Sequence, residues 1–148
     1  MSKPQAVRTI ERTVNGQKVM RTIYRFSLPF SVTLPKKTIA DEVCYLNMNA
    51  WRTMNHFKIA KCKKLFKPLP GYLPFKAMSV RISYEIIKRR STDYDVMNIV
   101  SPVDKCFCDW LVRKGMLSDD HCYCVQYGHM IGTHGVVDRI YAYVEVLK

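Results

Sequence analysis

The sequence predicts an α/β fold (α+β in the mixed-sheet sense): a single domain over 1–148 with an N-terminal hairpin and two main helices. Three observations carry that class. Two β-rich runs, "RTIERTV" and "QKVMRTIYRF", flank Asn15-Gly16, the pair suited to a type I′ turn. The run "MSVRISYEII" alternates apolar and polar residues with period two. Between it and two closing β-rich stretches, Val103, Cys106, Phe107, Trp110 and Leu111 recur at helical spacing. The order hairpin, helix, strand, helix, strand, strand is that of helices packed on a mixed sheet.

Each element has its own signal. The second hairpin run continues through "SLPFSVTLP", where Pro29 and Pro35 require an edge position or a bend. "LNMNAWRTMNHFKIAKCKKLF", residues 46–66, contains no Gly or Pro and carries an imperfect helical stripe, which predicts one helix. The proline-rich loop "KPLPGYLP" ends it. In the strand that follows, Met78, Val80, Ile82, Tyr84 and Ile86 form the core face, and Ser79, Arg81, Ser83 and Glu85 the other. Ser101-Pro102 predicts the next helix start, an N-cap followed by proline at the first helical position, with Asp104 in the first turn. Gly115 stops that helix. "CYCVQY" and "VDRIYAYVEV" read as the closing strands, with His129 and His134 in a glycine-containing turn between them.

Composition narrows the function classes. At 148 residues, 48% hydrophobic and 11% aromatic, the chain has material for a core and is not globally disordered. No run approaches the roughly 20 apolar residues of a membrane span. "MSKPQAVRTIERT" has no apolar signal core, so the expectation is a cytoplasmic protein with its six cysteines reduced. The net charge of +12 is unevenly spread: residues 1–92 carry 19 Lys/Arg against 4 Asp/Glu, and residues 93–148 carry 5 against 8. A broad basic field suits a polyanion such as nucleic acid. Six of the twelve acids fall between Asp93 and Asp120, and carboxylates repel phosphate unless a divalent cation lies between them.

The cysteines do not make a convincing zinc site. Cys106 and Cys108 fall two apart on a helix, where neighbours point about 200° apart. Cys122 and Cys124 could share a strand face, but no CxxC pair supports them, and His56, His121, His129 and His134 are scattered. The acids are better placed. Asp93 and Asp95 occupy the loop before a helix N-terminus, which accommodates negative charge, and Asp119-Asp120 follows that helix. Lys105 and Asp109 share a helix face as i and i+4, with Asn98 near the same line. Each alone reads as a surface charge, and Lys105–Asp109 as a helix ion pair; their clustering in a basic chain points to a Mg²⁺ site.

"DVMN", then Lys105 seven residues on and "KCFCDWLVRKGMLSDD", resembles the signature of the RusA-like Holliday-junction resolvases. That family carries an Asp-x-Asp-Asn motif, a downstream Lys, a helical Asp-x-Leu, a Gly and a closing Asp-Asp. The likeness is close over roughly 93–121. It is looser over "YRFSLPFSVTLP" and "LNMNAWRTMNHFKIAKCKK", which look like the family's first strand and basic helix. The resemblance implies a homodimer that binds branched DNA and cuts phosphodiesters with Mg²⁺ (or Mn²⁺), without a small-molecule cofactor. It assigns Asp95, Lys105 and Asp120 catalytic roles and makes Asn98 the motif asparagine. The second motif aspartate falls on Met97, where the sequence departs from the pattern.

A thioether does not replace a carboxylate toward hard Mg²⁺, so either Asp93 or Asp119 supplements Asp95 and Asp120 as ligands, Asp93 being favoured because it lies in the same loop, or the metal binds more weakly. Lys105 could neutralise charge developing on the phosphate, and Asp109 and Asn98 would support the site. A helix from Pro102 to Gly115 spans about 20 Å, and the five residues on to Asp120 reach at most about 17 Å. Joining Asp120 to Asp95 within one chain would take near-full extension, so the expectation is two subunits with antiparallel helices. Arg52, Lys58, Lys61 and Lys64, with Lys88, Arg89 and Arg90 leading into the acidic loop, are the candidate phosphate contacts. The leading reading is a Mg²⁺-dependent, structure-selective endodeoxyribonuclease acting on four-way junctions in recombination and repair. The alternative is a non-catalytic branched-DNA or nucleic-acid binder whose activity is lost through Met97.

Overall fold

A computed structural model describes residues 6–36, 40–89, 93–121 and 123–148. The hairpin forms as expected: β1 (Ala6–Val14) pairs antiparallel with β2 (Gln17–Leu28) across Asn15-Gly16. Both turn residues have positive φ, 51° and 76°, which the type I′ geometry demands and asparagine and glycine tolerate. The second run does not continue as one strand. β2 ends at Leu28, and β3 (Ser31–Leu34) leaves to pair with β4 (Glu42–Tyr45), a strand the sequence reading did not foresee.

The helix expected over 46–66 is two helices, α1 (Met48–Thr53) and α2 (His56–Leu65). Asparagine, rather than glycine or proline, makes the break. Asn47 accepts a hydrogen bond from the Ala50 amide at 2.9 Å, and Asn55 accepts one from the Lys58 amide at 2.9 Å. Each side chain satisfies an amide that a helix start leaves orphaned, so Asn55 starts a new helix. The described residues thus hold three helices rather than two.

β5 (Val80–Lys88) buries Val80, Ile82, Tyr84 and Ile86 as its alternation predicts, but Met78 lies before the strand and is exposed. α3 (Val96–Arg113) starts well upstream of Ser101-Pro102, with Asp95 as its N-cap and Pro102 inside it. The early start has a tertiary cause: Ile99 and Val100 join Val103, Phe107 and Leu111 in the core. Their burial favours helix through a position where proline removes one rung of the hydrogen-bond ladder. Gly115, at φ 74°, ends α3 as expected.

β6 (Val125–His134) and β7 (Arg139–Val146) close the fold, and His129 and His134 lie on β6 rather than in a turn. The five-stranded sheet runs β1-β2-β7-β5-β6, so the last strand inserts at the centre. β5 and β6 are parallel and joined through α3; the other pairings are antiparallel. One sheet face packs under the helices. Phe26 meets Phe107 and Trp110 edge-on, at ring-centroid distances of 5.2 and 5.7 Å. No helix among the described residues is long and apolar enough to cross a membrane.

Candidate functional site

The β5–α3–β6 unit places the 93–98 segment at the carboxyl ends of two parallel strands, beside a helix N-terminus. Open α/β sheets commonly bind ligands at that position. Tyr94 fixes the segment: its hydroxyl lies 2.9 Å from the Ile86 carbonyl oxygen and 2.8 Å from that of Thr133, spanning both strand ends. Gly132 makes the approach possible, since a Cβ there would sit 2.6 Å from Val96 Cγ2 and 2.9 Å from the Tyr94 hydroxyl. Asp95 accepts a hydrogen bond from the Met97 amide at 3.0 Å, so one carboxylate oxygen caps α3. Asp93 is exposed, and its Oδ1 lies 3.5 Å from His134 Nε2. Met97 is 47% exposed in the first turn, and Asn98 is half-buried behind it. Arg89 donates its backbone N–H to Asp138 at 2.8 Å, and the Lys88 ammonium lies 5.2 Å from the Phe30 ring centroid. Arg90 lies outside the described residues.

Asp119 and Asp120 are exposed in the segment that follows α3. The Asp119 carboxylate accepts from the Asp120 amide at 2.7 Å and lies 3.9 Å from His121 Nε2. An 18-residue helix is about 27 Å long. One chain therefore presents two separate carboxylate pairs, Asp93 with Asp95 and Asp119 with Asp120, and the described residues contain no cluster of three metal-ligating side chains. A pair of carboxylates with water suits Mg²⁺, which retains much of its hydration, so either end fits that ion by donor type.

Lys105 is exposed midway along α3. Asp109 does not pair with it: Asp109 accepts from Arg113 Nε at 2.8 Å, and Arg113 also donates to the Lys63 carbonyl at 2.7 Å, tying α3 to α2. Asp109 is thus held in a fold contact, and Lys105 keeps its charge at the surface.

Asp104, expected in the first turn of a helix, instead lies midway along α3 in a polar cluster. Asp104 accepts hydrogen bonds from the Tyr84 hydroxyl and, at 2.5 Å, from the Tyr127 hydroxyl, while Cys108 Sγ lies 3.4 Å away. Burial first, then the Asp104 charge, pushes the Cys108 thiol up, and the Asp120 charge reaches it as well. Burial likewise raises Tyr84 and, with the Asp104 hydrogen bond, Tyr127, so all three groups stay protonated and act as donors. The available signal was an acid next to Val103 of the apolar stripe and one turn before Cys108.

The basic candidates divide. Lys61 and Lys64 are exposed on α2 and line a cleft of about 690 Å³ with Phe57, which is 69% exposed. Arg52 is exposed in the last turn of α1. Lys58 instead contacts Glu42 at 2.5 Å, and Lys36 contacts the same carboxylate at 2.8 Å. Hydrogen bonds from Lys36 and Lys58 hold the Glu42 carboxyl down at about 2. Lys58 thus ties α2 to β4, whereas Lys61 and Lys64 leave their ammonium groups exposed. Compared with models of known protein families and with curated proteins, the chain matches none.

Proposed function

We propose that the protein is a Mg²⁺-dependent, structure-selective endodeoxyribonuclease of the RusA-like kind, a homodimer acting on four-way DNA junctions. The observation that carries this reading is the Tyr94-anchored acidic segment at the carboxyl ends of β5 and β6, beside Lys88 and Arg89 in a strongly basic chain. Asp95, supplemented by Asp93, and Asp120 of a second copy would hold the metal, which when bound offsets phosphate charge and supplies an activated water. Two copies with antiparallel α3 helices would bring Asp95 of one chain to Asp120 of the other, the two acids lying at the N-cap of α3 and after its C-terminus. Lys105, free of Asp109, is the cation for charge developing on the phosphate. Lys61, Lys64 and Arg52 hold the DNA backbone without reading sequence.

A non-catalytic branched-DNA binder is the second reading, favoured by the exposed thioether of Met97 at the motif's carboxylate position. Incubating the protein with a labelled four-way junction, with Mg²⁺ or with EDTA, separates the two. Metal-dependent cleavage that disappears in Asp120→Asn supports the enzyme. Binding without cleavage in Mg²⁺ and in Mn²⁺ leaves the binder.

A further inference from the structure

The sheet face turned away from α3 carries a second charged surface, unrelated to the acidic segment. Glu145 lies on it with a side chain only 5% exposed, and three arginines from three strands converge on its two oxygens. Arg12 contacts it through Nε at 3.3 Å and Nη2 at 2.8 Å, and Arg21 and Arg81 through Nη1 at 3.4 Å each. One buried carboxylate thus holds three guanidinium forks in place. It neutralises one of three charges and leaves most of their N–H groups to be satisfied from outside.

Next to this cluster is a pocket of about 500 Å³, lined also by Arg8, Ser83, Glu85, His129 and Tyr143. A bulge shapes it. Between Ile82–Tyr127 and Tyr84–Met130 the β5–β6 register shifts, so Gly128 and His129 both oppose Ser83. A Cβ at Gly128 would lie 2.2 Å from Ser83 Oγ, so any larger residue there would have to turn the Ser83 hydroxyl aside. The bulge leaves Tyr127 on the helix side with Asp104 while His129 lines the pocket. Tyr141 lies beside Tyr143, ring centroids 6.4 Å apart, with the Arg25 guanidinium 4.8 Å from the Tyr141 ring centroid.

We propose that this open face binds single-stranded DNA, with one phosphate against Arg8, Arg12 and Arg81 and a base against Tyr143. Charge selects the partner: arginines outnumber carboxylates on the face, so a two-fold contact with a second copy would oppose like charges. Prepositioned guanidinium forks match phosphate oxygens, and neighbouring aromatic rings stack on bases of any sequence. A free nucleotide would leave the Tyr141 platform unused, which favours a strand.

The test uses the full chain, a fluorescent (dT)10 oligonucleotide and polarisation. Arg8→Ala and Tyr143→Leu should each weaken binding about tenfold, with circular dichroism spectra unchanged. A 5-iododeoxyuridine probe should crosslink to the Tyr143 or His129 peptides, and thymidine monophosphate at equal nucleotide concentration should not displace (dT)10. Exposed Arg8 keeps the test valid if Tyr143→Leu folds poorly. Unchanged affinity in Arg8→Ala, or crosslinks confined to α2, overturns the proposal. So does a change in sedimentation without a change in (dT)10 affinity, which would make the face a contact between copies. Thymidine monophosphate binding as tightly as (dT)10 would assign the pocket to free nucleotides and also overturn it.

Discussion

Replacing Glu145 with alanine tests whether one carboxylate organises the open sheet face. The change removes the acceptor of four N–H bonds from Arg12, Arg21 and Arg81. Breaking a buried charge pair from one side costs about 3–5 kcal/mol, mostly because the remaining charge is left uncompensated. Here the arginine side chains are 43%, 16% and 33% exposed, so water rehydrates Arg12 and Arg81 more readily than Arg21. That places Glu145→Ala at the low end, about 3 kcal/mol. With a urea slope near 2 kcal/mol/M, the midpoint should fall by about 1.5 M. Glu145→Gln keeps the volume and one acceptor oxygen, and should lose about half as much. Urea unfolding followed by far-ultraviolet circular dichroism measures both. A Glu145→Ala midpoint within about 0.2 M of the parent would refute the reasoning, because the carboxylate would then be solvated and the arginines independently placed.

Asp95 separates stability from the proposed chemistry: Asp95→Asn should keep stability within about 0.5 kcal/mol, since asparagine caps as well as aspartate, yet abolish the metal-dependent junction cleavage proposed above. Asp95→Ala should lose cleavage and also about 1 kcal/mol of stability, read from the urea midpoint. Asp104→Ala leaves the fully buried Tyr84 hydroxyl without its acceptor and should cost about 2 kcal/mol, whereas Tyr127→Phe, at a half-exposed phenol, should cost less than about 1. Stability should fall in acid. Burial alone would raise the Glu145 carboxyl, but Arg12, Arg81 and Arg21 bring it below its ordinary 4.5, and Lys36 and Lys58 bring Glu42 to about 2. Both folded values are depressed, so their contribution is complete above about pH 4.5 and is lost as pH falls toward 2. Urea midpoints between about pH 6 and about pH 3 should therefore decline, and Glu145→Gln should flatten part of that slope.

Short-range preferences determined much of this protein. Asn15-Gly16 turns the hairpin because both residues accept positive φ, and Gly115 ends α3 for the same reason. Val80, Ile82, Tyr84 and Ile86 are buried because period-two alternation matches a strand with one face in the core. The acidic residues at 93–95 and 119–120 were legible as a pattern because acids stand out in a basic chain. Tertiary structure decided the rest. Asn55 breaks a helix only where α1 and α2 must each pack, and Asp95 displaces Ser101 as the cap because Ile99 and Val100 are buried upstream. β7 lies at the centre of the sheet, and no local signal states which strands pair. The surroundings of Asp104 and Glu145 come from residues distant in sequence, Tyr84 and Tyr127 for one and Arg12, Arg21 and Arg81 for the other. A charge's partners follow from which faces bury together, and that is a property of the packed chain rather than of any window within it.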